Sequence, residues 1–222
     1  LEQTLIHDYG YFVPTAYPIL VDPTGYHCWI DIPKCASSLI QKVLKDRGWV
    51  THSDPNLLIG FKRAPQVKKF CILRDPVERW ISGFAECFST EPNIVELLDS
   101  KVFWRVILKN PHFDDHTESM YRFLQQCNDL TYIYMNANES TGTGANKLYR
   151  DIAGYLKNIG YPCDEMWNWK EKVNPYNNNS TKQQIYLRMH QILKENPNLY
   201  NSLKNTLRYD YELLEKYKKF KA

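Results

Sequence analysis

The 222-residue sequence has no run of about 18 apolar residues, the length a membrane-spanning helix needs, and it opens on no signal-like segment, so a soluble piece is expected. A strong charge of either sign is also missing. Lys and Arg number 28 against 25 Asp and Glu, and the formal +3 is too slight to indicate a nucleic-acid partner. The six cysteines, at positions 28, 35, 71, 87, 127 and 163, include no C-x-x-C pair, which argues against a metal centre. Cys71 in an apolar strand and Cys87 on a helix read instead as buried thiols in a reducing compartment. No repeat or low-complexity linker divides the chain. With 43% hydrophobic residues it can fill one full core, so residues 1–222 are expected to form a single domain.

Glycine is absent from the stretch that promises chemistry, Ile30-Asp31-Ile32-Pro33-Lys34-Cys35-Ala36-Ser37-Ser38-Leu39. His27 to Ile32 alternates as a strand does, Pro33 ends the ladder, and Ser37 or Ser38 caps a helix carrying Leu39, Ile40, Val43 and Leu44. Free backbone N–H groups and the helix dipole at that start favour an anion, with Lys34 as an adjacent cation. Without glycine the loop is expected to keep ordinary right-handed or extended backbone. The Walker pattern G-x-x-x-x-G-K-[ST] is missing, which disfavours a nucleoside triphosphatase. A C-x5-R phosphatase loop fails as well, because Gln41 stands where arginine would clamp the oxyanion.

A second strand-to-helix turn follows. Val67 to Leu73 reads as a buried strand, Asp75 as a cap, Pro76 as the first helical residue and Glu78 as the partner in a capping box. Val77, Trp80, Ile81, Phe84, Ala85 and Phe88 fall on one buried stripe, and Arg79 reads as a surface pair. Arg74 at the strand end and Ser82, two turns into the helix, are placed to meet a second anion from two sides. Two such turns in one small domain suit a ligand with two separated phosphates.

Together these stretches resemble the sulfotransferases that use 3′-phosphoadenosine 5′-phosphosulfate (PAPS) as donor. Pro33, Lys34, Cys35, Ala36, Ser37, Ser38 and Leu39 are similar to the loop that holds the donor's 5′-phosphosulfate, and Arg74 with Ser82 to the pair that holds its 3′-phosphate. Ala36 stands where many cytosolic members have glycine, and the Lys-Cys-Ala-Ser-Ser wording is nearer to the carbohydrate-modifying, Golgi-type branch and its microbial or viral relatives. The firm match runs from Trp29 to Phe84.

The resemblance implies an α/β protein with the three-layer, P-loop-like sulfotransferase fold, a mainly parallel central sheet and both motifs at its carboxyl edge. It implies sulfuryl transfer from PAPS to a hydroxyl acceptor, a carbohydrate by branch, leaving adenosine 3′,5′-bisphosphate and requiring no metal. Lys34 would neutralise charge on the leaving phosphate. His52, between the motifs, lies where relatives place the base, with His116 as an acceptor-site residue and second choice for that role. Lys182 opens a later helix and is expected to help hold the 3′-phosphate. The expected compartment is cytoplasmic, or the Golgi lumen if an anchor preceded Leu1. Two rivals are a non-catalytic domain that binds the nucleotide or a sulfated glycan, and a nucleotide kinase with a degenerate loop, for which no magnesium ligand is found.

The remaining expectations are structural. Residues Leu1 to Thr24 read as an irregular arm, Asn93 to Asn110 as one core helix, and Leu130 to Met135 as a parallel strand. Asn136 to Gly144 reads as a loop at the sheet's carboxyl edge, Ala145 to Asn158 as a helix, and Tyr200 to Phe220 as one long helix with a solvated lysine face. Thr117 or Asp115 is expected to cap a helix, Lys62 and Arg63 to form a solvated charge pair, and Trp167 and Trp169 to fill the core. Acceptor triplets for glycosylation at Asn138, Asn178 and Asn179 are of the kind that arise by chance in an asparagine-rich chain.

Overall fold

Short runs of β-branched, aromatic and other apolar residues make the strands β1 (Ile19–Val21), β2 (His27–Ile30), β3 (Val50–His52), β4 (Lys68–Arg74), β5 (Leu130–Met135) and β6 (Lys218–Lys219). They form one sheet in the order β3-β1-β2-β4-β5-β6. The computed structural model describes residues 18–91, 93–124, 127–136, 143–161 and 180–220. The expectations for Trp167, Trp169 and the acceptor asparagines 138, 178 and 179, and most of the proposed arm and of the 136–144 loop, therefore lie outside the described residues.

The helices are α1 (Ser37–Lys45), α2 (Pro55–Arg63), α3 (Pro76–Cys87), α4 (Ile94–Leu97), α5 (Lys101–Lys109), α6 (Met120–Leu124), α7 (Thr143–Asn158), α8 (Thr181–Glu195), α9 (Pro197–Thr206) and α10 (Arg208–Lys216). This is an α/β protein, and its sheet is mixed. β2–β4, β4–β5 and β5–β6 pair in parallel, whereas β1 pairs antiparallel with both β2 and β3. The antiparallel part arises because β1 belongs to a segment expected to be irregular: Ile19, Leu20 and Val21 are buried and reach β2 through a tight turn in which Asp22 accepts from the His27 N–H at 2.9 Å.

Two expected long helices are broken. Ser100 interrupts the first by accepting from the Phe103 N–H, which starts α5 anew. The second divides at Leu207 and ends in β6, where the Phe220 N–H bonds to the Tyr132 carbonyl at 2.8 Å. The open edge of β5 offers backbone partners that override helix propensity.

Two apolar clusters lie side by side. One joins the sheet to Ile40 and Leu44 of α1 and to Leu148, Ile152 and Leu156 of α7. The other is helical, with Trp80, Ile81 and Phe84 of α3 packed on Ile185 and Met189 of α8. α3 leaves the end of β4, buries its apolar stripe in the helical cluster and keeps its polar residues for the rim of the sheet.

Candidate functional site

Strand register brings the two turns together. Ile30 pairs with Cys71, and three residues further along each chain stand Pro33 and Arg74. The first loop and the end of β4 therefore leave the same rim on neighbouring strands, about 4.8 Å apart.

The loop's backbone is not the expected one. Lys34 has φ 67° and Ala36 φ 62°, both left-handed. Each costs about 1–2 kcal/mol for a residue with a Cβ, so the surroundings must impose them. The Cys35 N–H bonds to the Ile32 carbonyl at 3.1 Å, and the Arg79 Nε donates to the Pro33 carbonyl at 2.9 Å, fixing the turn from two sides. Alternation of left- and right-handed residues makes a concave nest of N–H groups. Neither serine caps α1: Ala36 holds the cap position with no side-chain bond, and the Ser37 hydroxyl donates to the Ile32 carbonyl at 2.8 Å. The N–H groups of the first turn thus remain available to an anion. Gln41, which excluded the phosphatase loop, donates to Asp31 at 2.6 Å.

Arg79 is a buried tie and not a surface residue, 1% exposed, with Nη1 on the Glu118 carbonyl at 2.6 Å and Nη2 on the Asp115 carbonyl at 3.3 Å. It joins the Lys34 loop to residues 115–118. Lys62 also departs from a solvated pair, since its Nζ donates to the Phe123 carbonyl at 2.7 Å.

The polar face of α3 presents Glu78, Ser82 and Glu86 at helical spacing, about 12 Å from first to last. At one end Arg74, 4% exposed, has Nη2 at 3.4 Å from Glu78 and 3.5 Å from the Tyr186 hydroxyl, while its Nε is buried without a partner. At the other end Lys34 donates to Glu86 at 3.0 Å, and Lys182 donates to the same Oε2. Ser82 lies between them, buried, its hydroxyl without a hydrogen bond among the described residues.

Lys182, Tyr186 and His190 repeat the same spacing on α8, antiparallel to α3. Tyr186 donates to Glu78 at 2.9 Å, and His190 stands 3.4 Å from it. Lys182 is therefore a neighbour of Lys34 and not of Arg74, because antiparallel packing carries the start of α8 to the end of α3. Burial and the charge of Lys182 lower the Lys34 pKa, against the raising effect of Glu86. Burial alone would raise Glu86, but its bonds to Lys182 and Lys34 hold it at about 2.

The two histidines fare differently. Ile19 pairs with both Ile30 and His52, which puts His52 two strands, about 10 Å, from the end of β2. Its ring meets Phe61 at 5.7 Å. The His116 Nδ1 lies 2.7 Å from Asp114 Oδ2 in a loop closed by the Thr117 hydroxyl, which accepts from the N–H groups of Phe113 and Asp114. Thr117 thus closes its own loop instead of capping α6. Burial would raise the Asp114 pKa, but bonds from His116 and from the Cys87 thiol lower it, and in the tautomer that donates from Nδ1 to this carboxylate Nε2 is the nitrogen left open. Burial and Asp114 raise the Cys87 pKa, and Cys87, next to Glu86 on the last turn of α3, lies within 4.8 Å of donor atoms of Asp114 and His116, which puts the His116 loop beside the lysine end of α3.

Cys87, Asp114 and His116 offer donor atoms within 4.8 Å of one another. The 2.7 Å His116–Asp114 contact is a hydrogen-bond length, shorter than the roughly 3.3 Å between ligands of one tetrahedral zinc. A cavity of about 350 Å³ lined by Asp75, Glu78 and His190 opens between α3 and α8, and neither Lys34 nor Ser82 borders it.

Gly83 makes the close approach possible. A Cβ there would stand 2.1 Å from the His116 carbonyl oxygen. Gly83→Ala is expected to destabilise the fold by about 1–3 kcal/mol, read by urea denaturation, and an unchanged midpoint would show that the loop yields freely.

Sequence reasoning missed Glu86, Arg79, Tyr186 and the part of Asp114. The repeated i, i+4, i+8 spacing of Glu78-Ser82-Glu86 and of Lys182-Tyr186-His190 was the available signal. A model of a protein family described as "Sulfotransferase family" matches residues 17–218. Neither the curated proteins nor the solved structures yielded a match. Among the described residues no helix is long and apolar enough to cross a membrane.

Proposed function

Because the chain belongs to the sulfotransferase family, we propose that it moves a sulfuryl group from PAPS to a hydroxyl of a carbohydrate. The observation that carries this is the polar face of α3, which has Arg74 at one end, Lys34 and Lys182 at the other, and Ser82 between them. A nucleoside bearing two anionic groups fits such a pair of ends. The unpartnered Nε of Arg74 suits the 3′-phosphate, and the Lys34 loop with its open N–H groups suits the phosphosulfate. The carbohydrate acceptor rests on the wording of that loop, and the P-loop-like fold on the family.

In this reading Lys34 donates to the bridging oxygen as the sulfur–oxygen bond breaks, and the loop amides hold the nonbridging oxygens. Lys182 adds charge at that same end. The acceptor hydroxyl forms the new bond to sulfur and gives its proton to a histidine. His116 is the better furnished for that role, since Asp114 can orient its ring through Nδ1 and leave Nε2 open, whereas among the described residues His52 shows one ring contact, with Phe61. No step needs a metal, by analogy with loose phosphoryl transfer governed by alignment and charge.

The test is incubation with sulfur-labelled PAPS and a carbohydrate panel in the presence of a chelator. Absence of transfer to every acceptor, with adenosine 3′,5′-bisphosphate still bound, would make the protein a binding domain. Arg74→Ala is expected to weaken bisphosphate binding on the order of 100-fold while changing turnover at saturating donor far less. Calorimetry and initial rates separate the two, and intact affinity would remove Arg74 from the nucleotide site.

A further inference from the structure

At the lysine end the chain supplies an anion of its own. The same Oε2 of Glu86 accepts from Lys34 at 3.0 Å and from Lys182, so one carboxylate oxygen holds both cations. We infer that Glu86 is an internal counter-ion which an incoming anion must displace, so that it sets an affinity threshold which a ligand with a second anionic group can clear and a simple anion cannot. This rests on the nucleotide reading above for the identity of that ligand.

Competition follows because Glu86 takes one proton from each ammonium and neutralises charge that would otherwise hold a phosphate or sulfate oxygen. Keeping the carboxylate beside a bound anion would place like charges in contact, which is destabilising in a partly dry site. The geometry also says which partner leaves. The Lys34 side chain is 14% exposed and starts from a loop pinned by Arg79, whereas the Glu86 side chain is 39% exposed on the last turn of α3 and can turn out to water. An ion gripped only here gains the lysines but must expel Glu86. A ligand that also reaches Ser82, one turn away, and Arg74 at the far end of the polar face gains a second set of contacts that offsets the expulsion. Glu86 thus costs every anion about the same and filters out those with one foothold. With no donor bound, it also relieves the mutual repulsion of Lys34 and Lys182.

The experiment is calorimetric titration of the parent protein and of Glu86→Gln with two probes, inorganic sulfate and adenosine 3′,5′-bisphosphate. Glu86→Ala serves as a second variant, and thermal unfolding verifies that each is folded. Both variants are expected to bind sulfate and bisphosphate about tenfold tighter, the size of one lost competing charge-assisted pair. Unchanged or weaker sulfate binding by the folded variants overturns the inference. Failure of the parent to bind the bisphosphate while the variants still gain affinity for sulfate would defeat the nucleotide reading and leave the counter-ion standing.

Discussion

Lys34→Ala is expected to lower the rate of sulfuryl transfer by about 10³-fold, the scale seen when one donor to a developing oxyanion is removed. The loss should appear in single-turnover measurements with saturating labelled donor, where binding no longer limits. Binding of the bisphosphate should fall much less, since Arg74, the loop amides and Lys182 remain, and Glu86 would be left with Lys182 alone. Lys34→Arg keeps the charge but sets a planar fork in a loop whose φ of 67° aims a single ammonium, so it should recover only part of the rate. Equal turnover by Lys34→Ala and the parent protein would end the proposed mechanism.

Arg79→Met is expected to cost about 3–5 kcal/mol of stability, the scale of leaving several buried carbonyls unsatisfied at about 1–3 kcal/mol each. Methionine fills a similar volume, but it leaves the carbonyls of Pro33, Asp115 and Glu118 without their donor. For a domain of this size the midpoint should drop by about 10 °C. Folded molecules should also lose the fixed Lys34 turn, since nothing else bonds to the Pro33 carbonyl among the described residues. Urea denaturation measures the first effect and bisphosphate affinity the second. A variant within 1 kcal/mol of the parent, with affinity unchanged, would show that the two loops are held by other means.

What the sequence disclosed, and what it withheld, divides along the range of the interactions. β5 runs over Leu130–Met135 as alternation and apolar content indicate, and the cap at Asp75 with Pro76 after it starts α3 as local capping chemistry requires. Signals confined to a few neighbouring residues were enough there. The loop conformation was not legible, because the left-handed backbone at Lys34 and Ala36 follows a turn whose Pro33 carbonyl is held by Arg79 from 46 positions away. Arg79 itself falls off the apolar stripe, and spacing alone cannot tell a solvated guanidinium from one that bonds three carbonyls. Glu78 looked like half of a capping box. Its carboxylate instead turns to Arg74 and Tyr186, a partner chosen by α8. The breaks at Ser100 and Leu207 were hidden because apolar periodicity continues across them, and the turn into β6 because its backbone bond to Tyr132 is tertiary. The candidate residues in the two motifs could be named one by one. Their grouping along α3 was not.

The pairing of α3 with α8 spans 96 positions between Glu86 and Lys182 and 108 between Glu78 and Tyr186. A fragment that stopped short of α8 would keep both signatures letter for letter yet present only one wall of the cleft to a ligand. Motif possession and a working enclosure are therefore separable properties of this fold, and the late helix, which no signature records, is the part that decides between them.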